Sequence, residues 1–235
     1  MAITIGNLLL AATTVLSAHD FEADKLGSPG LARSWGSGDH NVFVTNVKAH
    51  DGEKGVCVLT GGTAGQQAIS YEIFNADRDK EHASVLESGY LRFSYWFCPE
   101  TSNAAFTTEL RTNTSRNLIW RTAADGFWMN AGWLSKEARK LPDWRAKKGC
   151  ELGKWHKVEI FIPVSFEERL NAKIRITWPD GSVETGETDY DHRKDTKAFT
   201  WMPILDPWVT NSRFFIDSLE TAAVGKEEAL KSSQQ

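Results

Sequence analysis

The chain has 235 residues, of which 41% are hydrophobic and 25% charged, with a formal net charge of −4. That balance supports a folded core and excludes a wholly disordered chain. The acidic excess offers no positive field for a phosphate backbone, which argues against nucleic acid as a partner.

Residues 5–18, centred on Leu8-Leu9-Leu10-Ala11-Ala12, have the apolar character of a secretory signal, and Val15-Leu16-Ser17 supplies small residues for cleavage, although no Lys or Arg precedes them. Residues 1–18 are therefore expected to be either a signal segment, implying a secreted or periplasmic protein, or a first strand. The stretch is too short, and too interrupted by Thr13 and Thr14, to span a bilayer as a helix. A single β domain is expected over 19–222, followed by a polar tail over 223–235.

His19-Asp20-Phe21-Glu22 opens the polar sequence, and Phe214-Phe215-Ile216-Asp217-Ser218-Leu219-Glu220 nearly closes it. Both set acidic residues within an aromatic or aliphatic strand pattern, as expected of first and last strands lying side by side. Between them, Val42-Phe43-Val44-Thr45 and Val56-Cys57-Val58-Leu59-Thr60 are β-branched runs joined through Asp51-Gly52. Residues 69–74 continue the pattern. In 90–97, Leu91, Phe93, Tyr95 and Phe97 fall on one face, as in a central strand. In 106–112 the alternation leaves Thr107, Glu109 and Arg111 on a polar face.

Two further strands are expected around Ala124-Asp125-Gly126. Residues 134–153 then turn basic and helix-like, with Ser135 as N-cap, and are expected to form a short helical or loop insertion. Alternation resumes in 155–162 and 172–178, and Pro179-Asp180-Gly181-Ser182 predicts a hairpin turn returning through Val183. The three cysteines lack metal-ligand spacing. Cys57 and Cys98 read as buried thiols, and a pairing of Cys150 with one of them stays open.

Asp20-Phe21-Glu22, the Gly-rich loop with Trp35, the run from Gly153 to Ile160, and Phe215-Ile216-Asp217-Ser218-Leu219 together resemble a concanavalin-A-like or jelly-roll β-sandwich of the lectin, glucanase and carbohydrate-binding-module type. The resemblance implies an all-β, antiparallel two-sheet fold. It also implies a structural Ca²⁺ held by Asp20, Glu22 and Asp217, a hard cation suited to carboxylate oxygens. The alternative is that these carboxylates face solvent at the sheet edge.

Polysaccharide or glycan binding is the function the resemblance implies. Ten tryptophans support it, because flat rings suit the C–H faces of sugars, but the same rings also fill space between sheets. Trp120, Trp128 and Trp133 are the candidate ligand contacts, with Arg111.

Two catalytic alternatives exist on the same fold. Glu187, Asp189 and Asp191 alternate on one face, similar to the acidic strand of retaining glucanases, although Asp191 stands where a Glu is expected. Thr108-Glu109-Leu110-Arg111 is similar to the Arg-bearing strand of jelly-roll alginate lyases, although the first Arg of that pattern is absent. In a lyase, Arg111 would neutralise the uronate carboxylate, while Tyr190 and His192 moved the protons. A purely structural or adhesive domain is the third class. Oligomeric state is not legible.

Overall fold

The computed structural model describes residues 13–29, 42–60, 71–77, 89–112, 116–131, 143–164, 170–190, 197–205 and 211–231. His192, Trp133, Trp35 and Asp191 lie outside these residues. The strands are β1 (Thr14–His19), β2 (Val42–Thr45), β3 (Gly55–Thr60), β4 (Tyr71–Asn75), β5 (Gly89–Pro99), β6 (Ala105–Thr112) and β7 (Arg116–Ala123). They continue with β8 (Gly126–Ala131), β9 (Trp144–Arg145), β10 (His156–Pro163), β11 (Asn171–Thr177), β12 (Val183–Asp189), β13 (Ala198–Leu205) and β14 (Ser212–Gly225). A short helix, α1 (Lys226–Lys231), follows.

These strands form two antiparallel sheets, a β-sandwich as the sequence led one to expect. The large sheet runs β12-β11-β10-β5-β14-β3-β2, with β1 also paired to β14, and the small sheet runs β4-β13-β6-β7-β8-β9. Period-two alternation decides what each strand buries. Leu91, Phe93, Tyr95 and Phe97 of β5 join Val158 and Ile160 of β10 and Ile174 and Ile176 of β11 from the large sheet. Facing them from the small sheet are Phe106, Leu110, Leu118, Trp120, Phe127, Phe199 and Trp201. Each large side chain removed from water in this way contributes about 1.5–3 kcal/mol before conformational entropy is set against it.

The polar atoms around Tyr95 are paired. Tyr95 sits at 0% exposure, where it receives the Trp120 Nε1–H at 3.0 Å and shares a 2.6 Å hydrogen bond with Thr122. Burial raises the Tyr95 phenol well above its ordinary range. On one side of the sandwich the sheet edges are tied across: Thr188 bonds Asp143, and the backbone N–H of Lys147 donates to Glu184 at 2.8 Å. Trp144 packs against the core beside β12, so closely that a Cβ at Gly186 would overlap the indole.

The first and last strands do lie side by side: Ala18 pairs Glu220 and His19 pairs Leu219. β14 pairs β5 along its length, while its other edge pairs β3 over 212–216 and β1 over 219–223. The change of partner coincides with a bulge. Asp217 opposes Trp96 and Glu220 opposes Ser94, so one strand advances three residues where the other advances two.

Three further features bear on the sequence-based expectations. Of the two forms expected for the basic run, the described part, 143–153, takes the loop form, with the two-residue strand β9 and turns, because β9 pairs β8 and the Cys150 N–H bonds the Ala124 carbonyl at 2.9 Å. The polar tail is ordered through α1: Ala229 is fully buried with Tyr90, Phe161 and Val224, and Glu228 accepts from Arg92 at 2.7 Å. All three cysteines are free thiols. Cys57 and Cys98 oppose the same residue, Phe215, from either side of β14. Two inter-strand spacings, about 9.5 Å, exceed disulfide reach.

Candidate functional site

The polar side of β6 emerges on the outer face of the small sheet. The register places Thr107 beside Arg121, Glu109 beside Ile119, and Arg111 beside Thr200. Across β7 and β8 the same face continues through Asn130 and Trp128, with Arg145 beyond. Arg111 Nε lies 3.5 Å from Glu109 Oε2, a contact too long and misaligned for a hydrogen bond, with the two side chains 29% and 14% exposed. The guanidinium therefore keeps donor capacity for an incoming acceptor, and its planar fork suits a carboxylate.

The tryptophans behave differently from expectation. Trp120 is at 0% exposure, its ring in the inter-sheet core and its N–H on Tyr95, so it is a structural residue and not a ligand contact. Trp128 is on the outer face, flanked in register by Arg121 and Arg145, yet only 6% exposed. Trp178 and Trp201 are buried too, and no tryptophan among the described residues is fully exposed.

Tyr190 is 1% exposed and belongs to the core, so it does not present its hydroxyl to an open groove. Its place follows from β12: Glu184, Gly186, Thr188 and Tyr190 face inward, leaving Glu187 and Asp189 on the outer face of the large sheet opposite Lys173 and Asn171. That pair belongs to the other sheet from Arg111.

Asp20, Glu22 and Asp217 do come together around the loop between β2 and β3, but their oxygens have other work. Phe21, at φ 65°, is turned into the core at 2% exposure, and this left-handed backbone directs its neighbours outward. Asp20 Oδ1 accepts the Glu22 N–H at 3.1 Å. Glu22 Oε1 accepts the N–H groups of Glu53 and Lys54 at 2.9 and 2.7 Å. Asp217 Oδ2 accepts those of His50 and Asp51 at 2.7 and 3.3 Å, and Oδ1 that of Ser218 at 2.7 Å.

Burial pushes the Asp217 carboxyl up, and these backbone donors only partly offset it. Lys54 Nζ then donates to the carbonyls of Glu22 at 2.6 Å and Asp24 at 3.0 Å. A cation is already supplied there by the chain. Among the described residues no group of three or more His, Cys, Asp or Glu side chains could hold a metal. The donor set does not fit the expected Ca²⁺, and sequence reasoning missed Lys54 because the expectation considered only acidic residues.

No protein-family model matches the chain, and no curated protein matches it in sequence. Solved structures do share its fold. The carbohydrate esterase of Shiga toxin-encoding bacteriophage phi24B superposes with a TM-score of 0.55 at 14% identity, over 91% of this chain and 100% of that one. The marine alginate lyase of Aplysia kurodai gives 0.56 at 8% identity, covering 88% and 98%. The endo-β-1,4-glucuronan lyase of the fungus Trichoderma reesei gives 0.56 at 10% identity, covering 90% and 96%. The chain thus has the jelly-roll β-sandwich fold found among these carbohydrate-active proteins.

Proposed function

We propose that the protein binds an acidic, uronate-containing polysaccharide on the outer face of the small sheet, with Arg111 receiving a uronate carboxylate. The observation that carries this reading is the Arg111 guanidinium, half-buried on a polar face and held by Glu109 only at 3.5 Å. Glu109, 14% exposed, lies on the same face. The fold supports the reading by analogy alone: two structures of similar fold act on alginate and on glucuronan. Binding is favoured over lyase chemistry because Tyr190, expected to move a proton, is buried in the core.

The test is titration with alginate, polyglucuronate and a neutral glucan by calorimetry, comparing the native protein with Arg111→Met. The reading requires binding of at least one polyuronate, no binding of the neutral chain, and a loss of about tenfold or more in the variant, equivalent to about 1.4 kcal/mol. Equal binding of neutral and acidic chains, or none of either, overturns it. Rising ultraviolet absorbance from unsaturated products during incubation would replace binding with lyase activity.

A further inference from the structure

The large sheet carries a concave site that the preceding reading does not use. At the β14 bulge, where the strand exchanges β3 for β1, a cavity of about 180 Å³ opens on the outer face. Ser94 and Trp96 of β5 form its floor, Lys157 of β10 and Glu220 of β14 its sides, and Asp20 and Asp51 its rim. The extra residue of the bulge makes the room. Ser218, the bulge residue at φ 49°, is held over Asp51 by a 3.3 Å hydrogen bond.

Two features make this a formed site rather than a gathering of charges. Ser94 is 2% exposed, lines the cavity, and its hydroxyl has no partner among the described residues. The hydroxyl is not among the fully enclosed unpaired polar atoms, so it reaches the cavity, where its natural complement is a ligand or water. Trp96 is stacked on one face by His50, at 3.6 Å between ring centroids and 15° between planes. With Trp155 edge-on to His50 at 5.8 Å, the indole is fixed before any ligand arrives. Its N–H also has no partner among the described residues.

We propose that this cavity is a binding subsite for one neutral sugar residue. The volume is below the roughly 300 Å³ at which pockets for drug-sized ligands begin, which suits a single ring. Carboxylates of Asp20, Asp51 and Glu220 accept sugar hydroxyl protons, Ser94 donates and accepts, and the Trp96 surface takes the ring's C–H groups. The acidic rim disfavours a uronate, and the Lys157 ammonium disfavours an organic cation. A metal is disfavoured because, among the described residues, no group of three or more His, Cys, Asp or Glu side chains is placed to hold one. The site is separate from the Arg111 face and stands or falls independently of it.

Saturation-transfer NMR with glucose, galactose, mannose, xylose and N-acetylglucosamine tests the proposal on the full chain, comparing native protein, Ser94→Val and Lys157→Met. At least one sugar is expected to receive saturation from the native protein, with its affinity falling about tenfold or more in Ser94→Val, whose methyl groups fill the floor. If that variant does not fold, Lys157→Met, at a half-buried position, carries the comparison with the same expected direction. No transfer to any of the five sugars, or transfer unchanged in both variants, overturns the proposal. Polyuronate titration of the same proteins separates this outcome from that of the Arg111 reading.

Discussion

Arg175 grips Glu159 from the neighbouring strand with two hydrogen bonds, Nε to Oε2 at 2.5 Å and Nη2 to Oε1 at 2.8 Å. The Glu159 side chain is 3% exposed, and Lys157 stands 3.4 Å from it. Burial pushes the Glu159 carboxyl up, but hydrogen bonding by Arg175 and the nearby positive charges outweigh it and hold the group below its ordinary range. Removing Arg175 would leave a buried carboxylate with only its weaker partner. Arg175→Met is expected to lower unfolding stability by about 2–4 kcal/mol. The Arg175→Met/Glu159→Met double variant should recover much of that loss, since no buried charge is then stranded. Urea unfolding of Arg175→Met, Glu159→Met, the double variant and the native form checks this, and additive losses would contradict it.

The loop held by Lys54 should be independent of calcium. Lys54→Met removes the ammonium from the Glu22 and Asp24 carbonyls and is expected to destabilise the protein by about 1–2 kcal/mol, discounted because the site is partly solvated. A chelator, or added Ca²⁺, should leave the native melting temperature unchanged. A rise in melting temperature with Ca²⁺ in the native protein would restore the metal reading.

His156 predicts a pH dependence of stability. Burial holds its imidazole below the usual value, and its Nε2 accepts the Glu151 N–H at 3.2 Å, which requires that nitrogen to be unprotonated. A histidine whose folded pKa is depressed contributes stability that is fully present above the unfolded value, about 6.5, and is lost as pH falls from there through the lower folded value. Denaturant midpoints of the native protein should therefore drop more steeply than those of His156→Gln as pH falls below about 6.5. Parallel curves would remove His156 as the cause.

Trp120 should prove structural. Trp120→Phe loses the Nε1–H bond to Tyr95 and part of a ring that fills the core, with an expected cost of about 2–4 kcal/mol. Polyuronate affinity of the folded variant should stay within about twofold of native, well below the tenfold change that 1.4 kcal/mol would bring. A large affinity change with unaltered stability would place the ring at the ligand instead.

Much of the fold was legible because alternation is a local property. The inward faces of β5 and β11 and the turn at Asp180 and Gly181 follow from short runs of sequence, and the matched patterns of the first and last strands pointed to their lying side by side. What failed depended on distant segments meeting. Trp120 and Trp128 were correctly placed in strands, yet alternation names a face without saying whether that face is covered. Lys136, Arg139 and Lys140 gave the run over 134–153 its helical look, but the described residues from 143 onward obey tertiary packing, with Trp144 set against β12. The Ser94 cavity depends on one extra residue in β14, a feature no motif marks. Lys54 was overlooked for the same reason, since its partners lie about thirty residues away.

The position of β14 also sets a constraint on biogenesis. Thirteen described strands precede it, yet it is the strand that joins β5 to both β3 and β1. On the ribosome, the β5 edge from Tyr90 to Pro99 must wait for residues beyond 212 before that side of its ladder can close. Until then an apolar strand with unpaired backbone groups stays available to other chains. Chains interrupted before this point should therefore accumulate as aggregates, and a trigger-factor-like holdase should raise the yield of the native protein more than a faster synthesis rate would.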